Sequence, residues 1–189
     1  LLVTDSRYTE QAAAEAPSYE IVEQKDGLYR CVAELAADVG VVALGFEGGW
    51  LVYDKVLKLR DLLGEISFDT TLDLDPLRQV KDADEIVLIR RACGIADEGF
   101  AHIIRVIQPG MTELEVAAEL EHSMRMHGSE RPAFQTIIAS GARGSLPHGV
   151  ASDKVIARGD LVTMDFGAVC GGYHSDITRT ICVGHADAR

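Results

Sequence analysis

The sequence predicts an α/β segment followed by an α+β segment. Three observations predict it. Short β-like runs alternate with helix-like runs over residues 1 to about 70, the composition turns acidic and polar over 70–84, and two helical patterns then precede strands that flank a Gly-Gly turn. Strict alternation belongs to largely parallel sheets with crossover helices, whereas helices grouped before strands belong to α+β arrangements.

In the first segment the strand candidates are 1–4, 19–22, 41–45 and 65–68, with helix candidates at 9–16, 28–38 and 50–63 between them. Leu28, Val32, Leu35, Ala36 and Val39 recur at helical spacing and make one apolar stripe. Gly48-Gly49 belongs to neither GxGxxG nor GxxxxGK[ST], so it reads as a turn before a helix. No chemistry is assigned to this half. The stretch from Thr70 to Asp84 carries Asp73, Asp75-Pro76, Asp82 and Asp84, and Pro76 biases its neighbour toward extended backbone. The domain division is placed there, as 1–75 and 76–189.

The second segment opens with the clearest helix. Ile86, Ile89, Cys93, Ala96, Phe100, Ile103 and Ile107 step by threes and fours until Gln108-Pro109-Gly110. Thr112 and Glu115 then form a capping box, and Val116, Ala117, Leu120 and Met124 continue as a stripe up to Gly128. The two helices read as a hairpin covering one face of a sheet. A strand candidate at 133–140 leads into Gly141-Ala142-Arg143-Gly144-Ser145-Leu146-Pro147-His148-Gly149. A Gly-rich loop with a His fixed between Pro and Gly can present an imidazole to a pocket; the other reading is a surface His in a turn.

Two β-prone runs, 161–169 and 173–183, flank Gly171-Gly172 and read as an antiparallel hairpin. With the turn centred between Cys170 and Gly171, facing residue numbers sum to 341 and Asp165 opposes Asp176. Directly opposed like charges destabilise a hairpin. The pair then shares a proton or holds a cation, and the apolar neighbours Leu161, Val162, Met164, Ile177 and Ile181 predict buried strand ends, where a cation is favoured. A one-residue bulge would instead send the two carboxylates to opposite faces. His174 shares strand parity with Asp176 but lies nearer the turn, where a solvent-facing role is expected.

Composition narrows the function classes. The 189 residues are 47% hydrophobic and 25% charged, an ordinary globular balance, and the net charge of −12 disfavours nucleic acid and anionic lipid as partners. No run approaches the 18 or more apolar residues of a membrane span, and Leu1-Leu2-Val3-Thr4-Asp5 does not read as a targeting segment. Cys31, Cys93, Cys170 and Cys182 lack CxxC spacing and sit in apolar surroundings, which predicts buried thiols and a cytoplasmic protein. The chain begins without Met inside an apolar run and ends just after a hairpin, so a piece of a longer protein is expected.

Taken together, Ile137-Ile138-Ala139-Ser140-Gly141, Leu146-Pro147-His148-Gly149, Gly159-Asp160, Asp165-Phe166-Gly167 and Ser175-Asp176-Ile177-Thr178-Arg179-Thr180 resemble the pita-bread-fold metallopeptidases, in the branch of Xaa-Pro dipeptidases (prolidases) and Xaa-Pro aminopeptidases. Asp5-Ser6-Arg7-Tyr8-Thr9-Glu10-Gln11-Ala12 resembles a segment of their creatinase-like amino-terminal domain, and the stretch from Leu77 to Arg91 resembles the lead-in to their catalytic domain.

The resemblance implies a creatinase-like α/β domain followed by the first half of a pita-bread catalytic domain. It implies a site for two divalent ions with five protein ligands: Asp165 on one ion, Asp176 bridging both, and a His and two Glu farther along than Arg189. His148 would contact the substrate and steady charge on the attacked carbonyl, Thr178 would support a ligand, and Phe134 would line the pocket for the residue before proline. Mn²⁺ suits such a carboxylate-rich set, with Co²⁺ or Zn²⁺ as alternatives. The implied substrates are Xaa-Pro dipeptides or short peptides, and the family suggests a homodimer. With two ligands of five, the chain as given is expected to be catalytically silent. The competing readings are a metal-free creatinase-like hydrolase and a non-catalytic peptide-binding module on the same fold.

Overall fold

The alternation of the first half is realised as strands too short to stand alone, each handed to the next through a helix. In a computed structural model, the chain divides into two compact units, Leu1–Val80 and Lys81–Arg189. The described residues are 1–69 and 73–185; the first residues of the acidic stretch, 70–72, and the tail, 186–189, lie outside them.

In the first unit, β1 (Leu2–Thr4), α1 (Thr9–Glu15) and β2 (Ile21–Glu23) make one parallel crossover, with Leu2 beside Ile21. Then α2 (Leu28–Asp38), β3 (Ala43–Gly45), α3 (Tyr53–Leu63) and β4 (Ser67–Asp69) make a second, with Ala43 beside Ser67. Parallel strands need such crossovers because a tight turn can only reverse the chain. Ala33, Ala36, Leu59 and Leu63 bury the seam between α2 and α3, while the ends of the predicted α2 stripe, Leu28 and Val39, are exposed. Pro76 does not hold its surroundings extended. It lies in the first turn of the short helix α4 (Asp75–Gln79), where a missing N–H costs nothing.

The second unit begins with α5 (Ala83–Val106), whose start is fixed by a capping box: Asp82 accepts from the Asp84 and Glu85 N–H groups, and Glu85 accepts from Asp82 N–H. Its buried face runs through Ala92, Ile95, Ala96, Gly99 and Ile103. The predicted stripe holds at Ala96, Phe100, Ile103 and Ile107 but is rotated toward the start of the helix, where Ile86 and Cys93 are exposed. Small residues decide the rotation, because Gly99 admits Leu120 and Met124 of the next helix, α6 (Glu113–Met126), closer than any side chain would allow. The exposure of Cys93 also corrects the expectation of four buried thiols; Cys170 is buried, Cys31 and Cys182 are half-buried, and all four are free.

Both helices cover one face of an antiparallel sheet of β5 (Ile137–Ser140), β6 (Leu161–Phe166) and β9 (Ile177–Cys182), in the order β5-β6-β9. Ile138, Val162, Met164 and Phe166 are fully buried against them. Burial of each such side chain contributes about 1.5–3 kcal/mol. The predicted strand 133–140 starts only at Ile137, since the bend at 133–134 lets Ala133 N–H donate to Gly167 O. Period-2 alternation then turns Ile137, Thr163, Asp165, Thr178 and Thr180 to the other face, away from the helices.

Candidate functional site

The hairpin that carries both aspartates is built in two parts. β6 and β9 pair from Leu161↔Cys182 to Phe166↔Ile177, and beyond a break the short strands β7 (Val169–Cys170) and β8 (Tyr173–His174) complete it. Facing residues are offset by two from the predicted register: Asp165 faces Thr178, not Asp176. The cause is the turn, which is centred on Gly171-Gly172. Both glycines have positive φ, 57° and 78°, the left-handed backbone a two-residue hairpin turn requires. Continued across the break, this register sets Asp176 opposite Gly167. The two carboxylates remain on one face of the hairpin as a diagonal pair, about 7–8 Å apart in a regular ladder.

The break has its own chemistry. A Cβ on Gly167 would collide with the Ser175 carbonyl oxygen, so the glycine permits the two strands to close there. Ser175 is buried, and its Oγ accepts from Ala168 N–H at 2.9 Å and donates to Ala92 O of α5 at 3.1 Å. Tyr173 Oη donates to Glu85 Oε1 at 2.6 Å, and this hydrogen bond to a carboxylate pushes the phenol up from its ordinary value, keeping it a donor. The hairpin is thereby tied to α5 at two points on either side of His174, which is itself exposed on β8.

Asp165 and Asp176 open into one cleft of about 490 Å³, lined also by Phe134, Gln135, Ile137, His148 and Val150. Four of the five residues predicted from the sequence therefore converge there. The fifth, Thr178, reaches it indirectly, donating from Oγ1 to Asp165 Oδ1 at 2.9 Å. The predicted burial of the carboxylates does not hold: Asp165 is half-buried and Asp176 exposed, because they lie on the sheet face that the helices do not cover. His148 is held at the rim by packing of its neighbour, since a Cβ on Gly149 would lie 2.9 Å from the Ala139 Cβ. Gln135 and Val150 had no signal in the sequence; they enter the site through the bend before β5 and through the bridge between Val150 and Ile137.

The donor set suits a hard divalent cation. Asp165 Oδ2 and both oxygens of Asp176 accept no hydrogen bond, and neither carboxylate has a cationic side chain within 4 Å, among the described residues. Two carboxylates sharing a cleft without a counter-charge repel each other, and a cation between them removes that cost. They supply only part of a coordination sphere. Among the described residues no group of three or more His, Cys, Asp or Glu side chains could hold a metal ion.

Residues 87–189 match the model of metallopeptidase family M24. The chain belongs to that family. Residues 1–80 match the creatinase/prolidase amino-terminal domain, so this M24 chain pairs a creatinase-like α/β unit with helices and an antiparallel sheet that begin a pita-bread domain. It is 50% identical over 142 residues to the Xaa-Pro dipeptidase of Pyrococcus furiosus, covering 75% of this chain and 40% of that protein. Its fold is similar to a solved Xaa-Pro dipeptidase from Bacillus anthracis, with a TM-score of 0.91, 45% identity, and coverage of 98% of this chain and 52% of that one. The X-Pro aminopeptidase of Thermotoga maritima matches with a TM-score of 0.90, 38% identity, and coverage of 98% and 53%. The M24 chain thus spans about half the length of the solved structures it matches. No helix of the described residues is long and apolar enough to cross a membrane.

Proposed function

We propose that the whole protein to which this chain contributes hydrolyses Xaa-Pro peptide bonds with two divalent ions, of which Asp165 binds one and Asp176 bridges both. The observation that carries the reading is the convergence of Asp165, Asp176 and His148 on one cleft with, among the described residues, no cationic side chain against either carboxylate. Membership of a metallopeptidase family supports it. A His and two Glu outside the described residues complete the ligands. Mn²⁺ is favoured by the carboxylate set, with Co²⁺ or Zn²⁺ as alternatives.

The carboxylates, the imidazole and the apolar wall of the cleft have separate tasks. Divalent ions held by Asp165 and Asp176 would supply Lewis-acid activation of a water and of the scissile carbonyl, so that no Ser or Cys nucleophile would be needed. Asp165, whose Oδ1 accepts the Thr178 hydroxyl proton, would hold a cation through the remaining oxygen, Oδ2. His148 donates a hydrogen bond to the carbonyl oxygen as charge develops on it, the stage at which a fixed donor lowers the barrier most. Phe134, with Ile137 and Val150, gives the residue before proline an apolar wall that excludes water. Proline lacks an amide N–H and has a fixed φ, so recognition falls to shape rather than to a backbone hydrogen bond.

The substrates are Xaa-Pro dipeptides or short peptides, in a cytoplasmic protein that forms a homodimer. Hydrolysis of Xaa-Pro peptides by the full-length protein tests the reading: activity should rise with Mn²⁺ and be abolished by chelation. Undiminished activity in the metal-free protein contradicts it, and points to the creatinase-like alternative.

A further inference from the structure

Glu113 is the one charged side chain fully buried among the described residues, and the hydrolysis proposed above does not use it. It is the first residue of α6, directly after the Thr112 cap. Its Oε1 accepts from Ser140 N–H and Ser140 Oγ, both at 2.8 Å. Its Oε2 accepts from Ser152 N–H at 3.1 Å and from Ser152 Oγ at 2.6 Å. Arg143 Nε lies 3.3 Å from the first oxygen and 3.0 Å from the second. One carboxylate therefore grips both ends of the segment 140–152, and His148 sits inside that span.

Two more contacts stiffen the loop. Arg143 Nη2 donates to Val150 O at 2.6 Å, crossing from the 3₁₀ turn Gly141–Ser145 to the strand-like bridge beside His148. Lys154 Nζ donates to Ser140 Oγ at 2.6 Å and to Asp160 Oδ2 at 2.9 Å, joining the clamp to the residue that precedes β6. Burial alone pushes the Glu113 carboxyl up, but hydrogen bonds from Ser152 and Ser140 and the charge of Arg143 outweigh it, so the group is held ionised below the ordinary glutamate range. A buried ion pair is a poor source of stability, since apolar groups of similar volume pack as well or better. What a fully bonded carboxylate adds is one defined geometry for the backbone it grips.

We propose that Glu113 is a positioning residue that sets the 141–150 loop so that His148 projects into the cleft of Asp165 and Asp176. The kinetic part rests on the Xaa-Pro reading above. The test uses the full-length Mn²⁺-loaded protein with Glu113→Gln, His148→Ala and the double variant. Glu113→Gln lowers kcat at least about tenfold, as displacement of a group at the reacting centre does, with bound metal unchanged. In the His148→Ala background it produces no further loss, because the group it positions is gone. Equal loss in both backgrounds, or no loss, overturns the proposal.

A second readout needs no activity. Amide exchange across 141–150 becomes at least about tenfold faster in Glu113→Gln, as removal of a hydrogen bond to a charged group requires, while β6 amides keep their protection. Unchanged exchange overturns the proposal even if the protein proves not to cleave Xaa-Pro bonds. Ser152→Ala, which deletes one donor, moves both readouts the same way and replaces Glu113→Gln if that variant does not fold.

Discussion

Thr178 stands directly across the β6–β9 ladder from Asp165 and gives its Oδ1 a hydrogen bond of 2.9 Å. The bond fixes the carboxylate rotamer and leaves Oδ2 as the free acceptor in the cleft. Thr178→Val keeps the shape and deletes the donor. It is expected to weaken Mn²⁺ binding by the full-length protein about tenfold, the usual effect of losing a partner behind a metal ligand, while Thr178→Ser retains affinity. Titration calorimetry on both variants checks this. Equal affinity in Thr178→Val would show that Asp165 needs no such support.

Gly167 fixes the other carboxylate by steric means. A methyl group there meets the Ser175 carbonyl and the Ala133 side chain, so the strands must part at the residue before Asp176. Gly167→Ala is expected to destabilise the second unit by about 1–3 kcal/mol, as overpacking does. It should also reduce metal affinity more than Thr178→Val, because Asp176 is displaced. A lowered melting temperature with unchanged Mn²⁺ affinity would mean that closure at Gly167 does not place Asp176.

Glu113 makes stability depend on acidity. Its carboxyl lies below the ordinary value of 4.5 in the folded protein, so its contribution is fully present above that pH and is lost as pH falls through the lower folded value. Wild type should therefore lose stability below about pH 4.5 more steeply than Glu113→Gln. Urea denaturation at a series of acid pH values compares the slopes, and identical slopes would contradict the assignment.

Much of the fold was legible because local rules and packing agreed. The Thr112–Glu115 box starts α6 as predicted, and its stripe of Val116, Ala117, Leu120 and Met124 is buried. Of the α5 stripe, Ala96, Phe100, Ile103 and Ile107 pack on the core as predicted while Ile86 and Cys93 do not, because Gly99, which carries no hydrophobic signal, is small enough to admit Leu120 and Met124. At the site, Phe134, His148, Asp165 and Asp176 share a cleft as the motifs suggested, but their register and burial were not legible. A turn centred on Gly171-Gly172 gives the observed register, and glycine is the residue that takes two successive positive φ values at least cost. The exposure of Asp176 follows from which sheet face the helices cover, a tertiary fact no local pattern contains. Glu113 was hidden by its place in the first turn of a helix, where an acidic residue ordinarily serves the dipole.

The pairing of Asp165 and Asp176 on a cation is tested most directly by the metal stoichiometry of the full-length protein after dialysis against Mn²⁺, for wild type, Asp165→Asn and Asp176→Asn. Two ions per chain in wild type are predicted, with one retained in Asp165→Asn and both lost in Asp176→Asn. Full metal content in both variants would contradict the account.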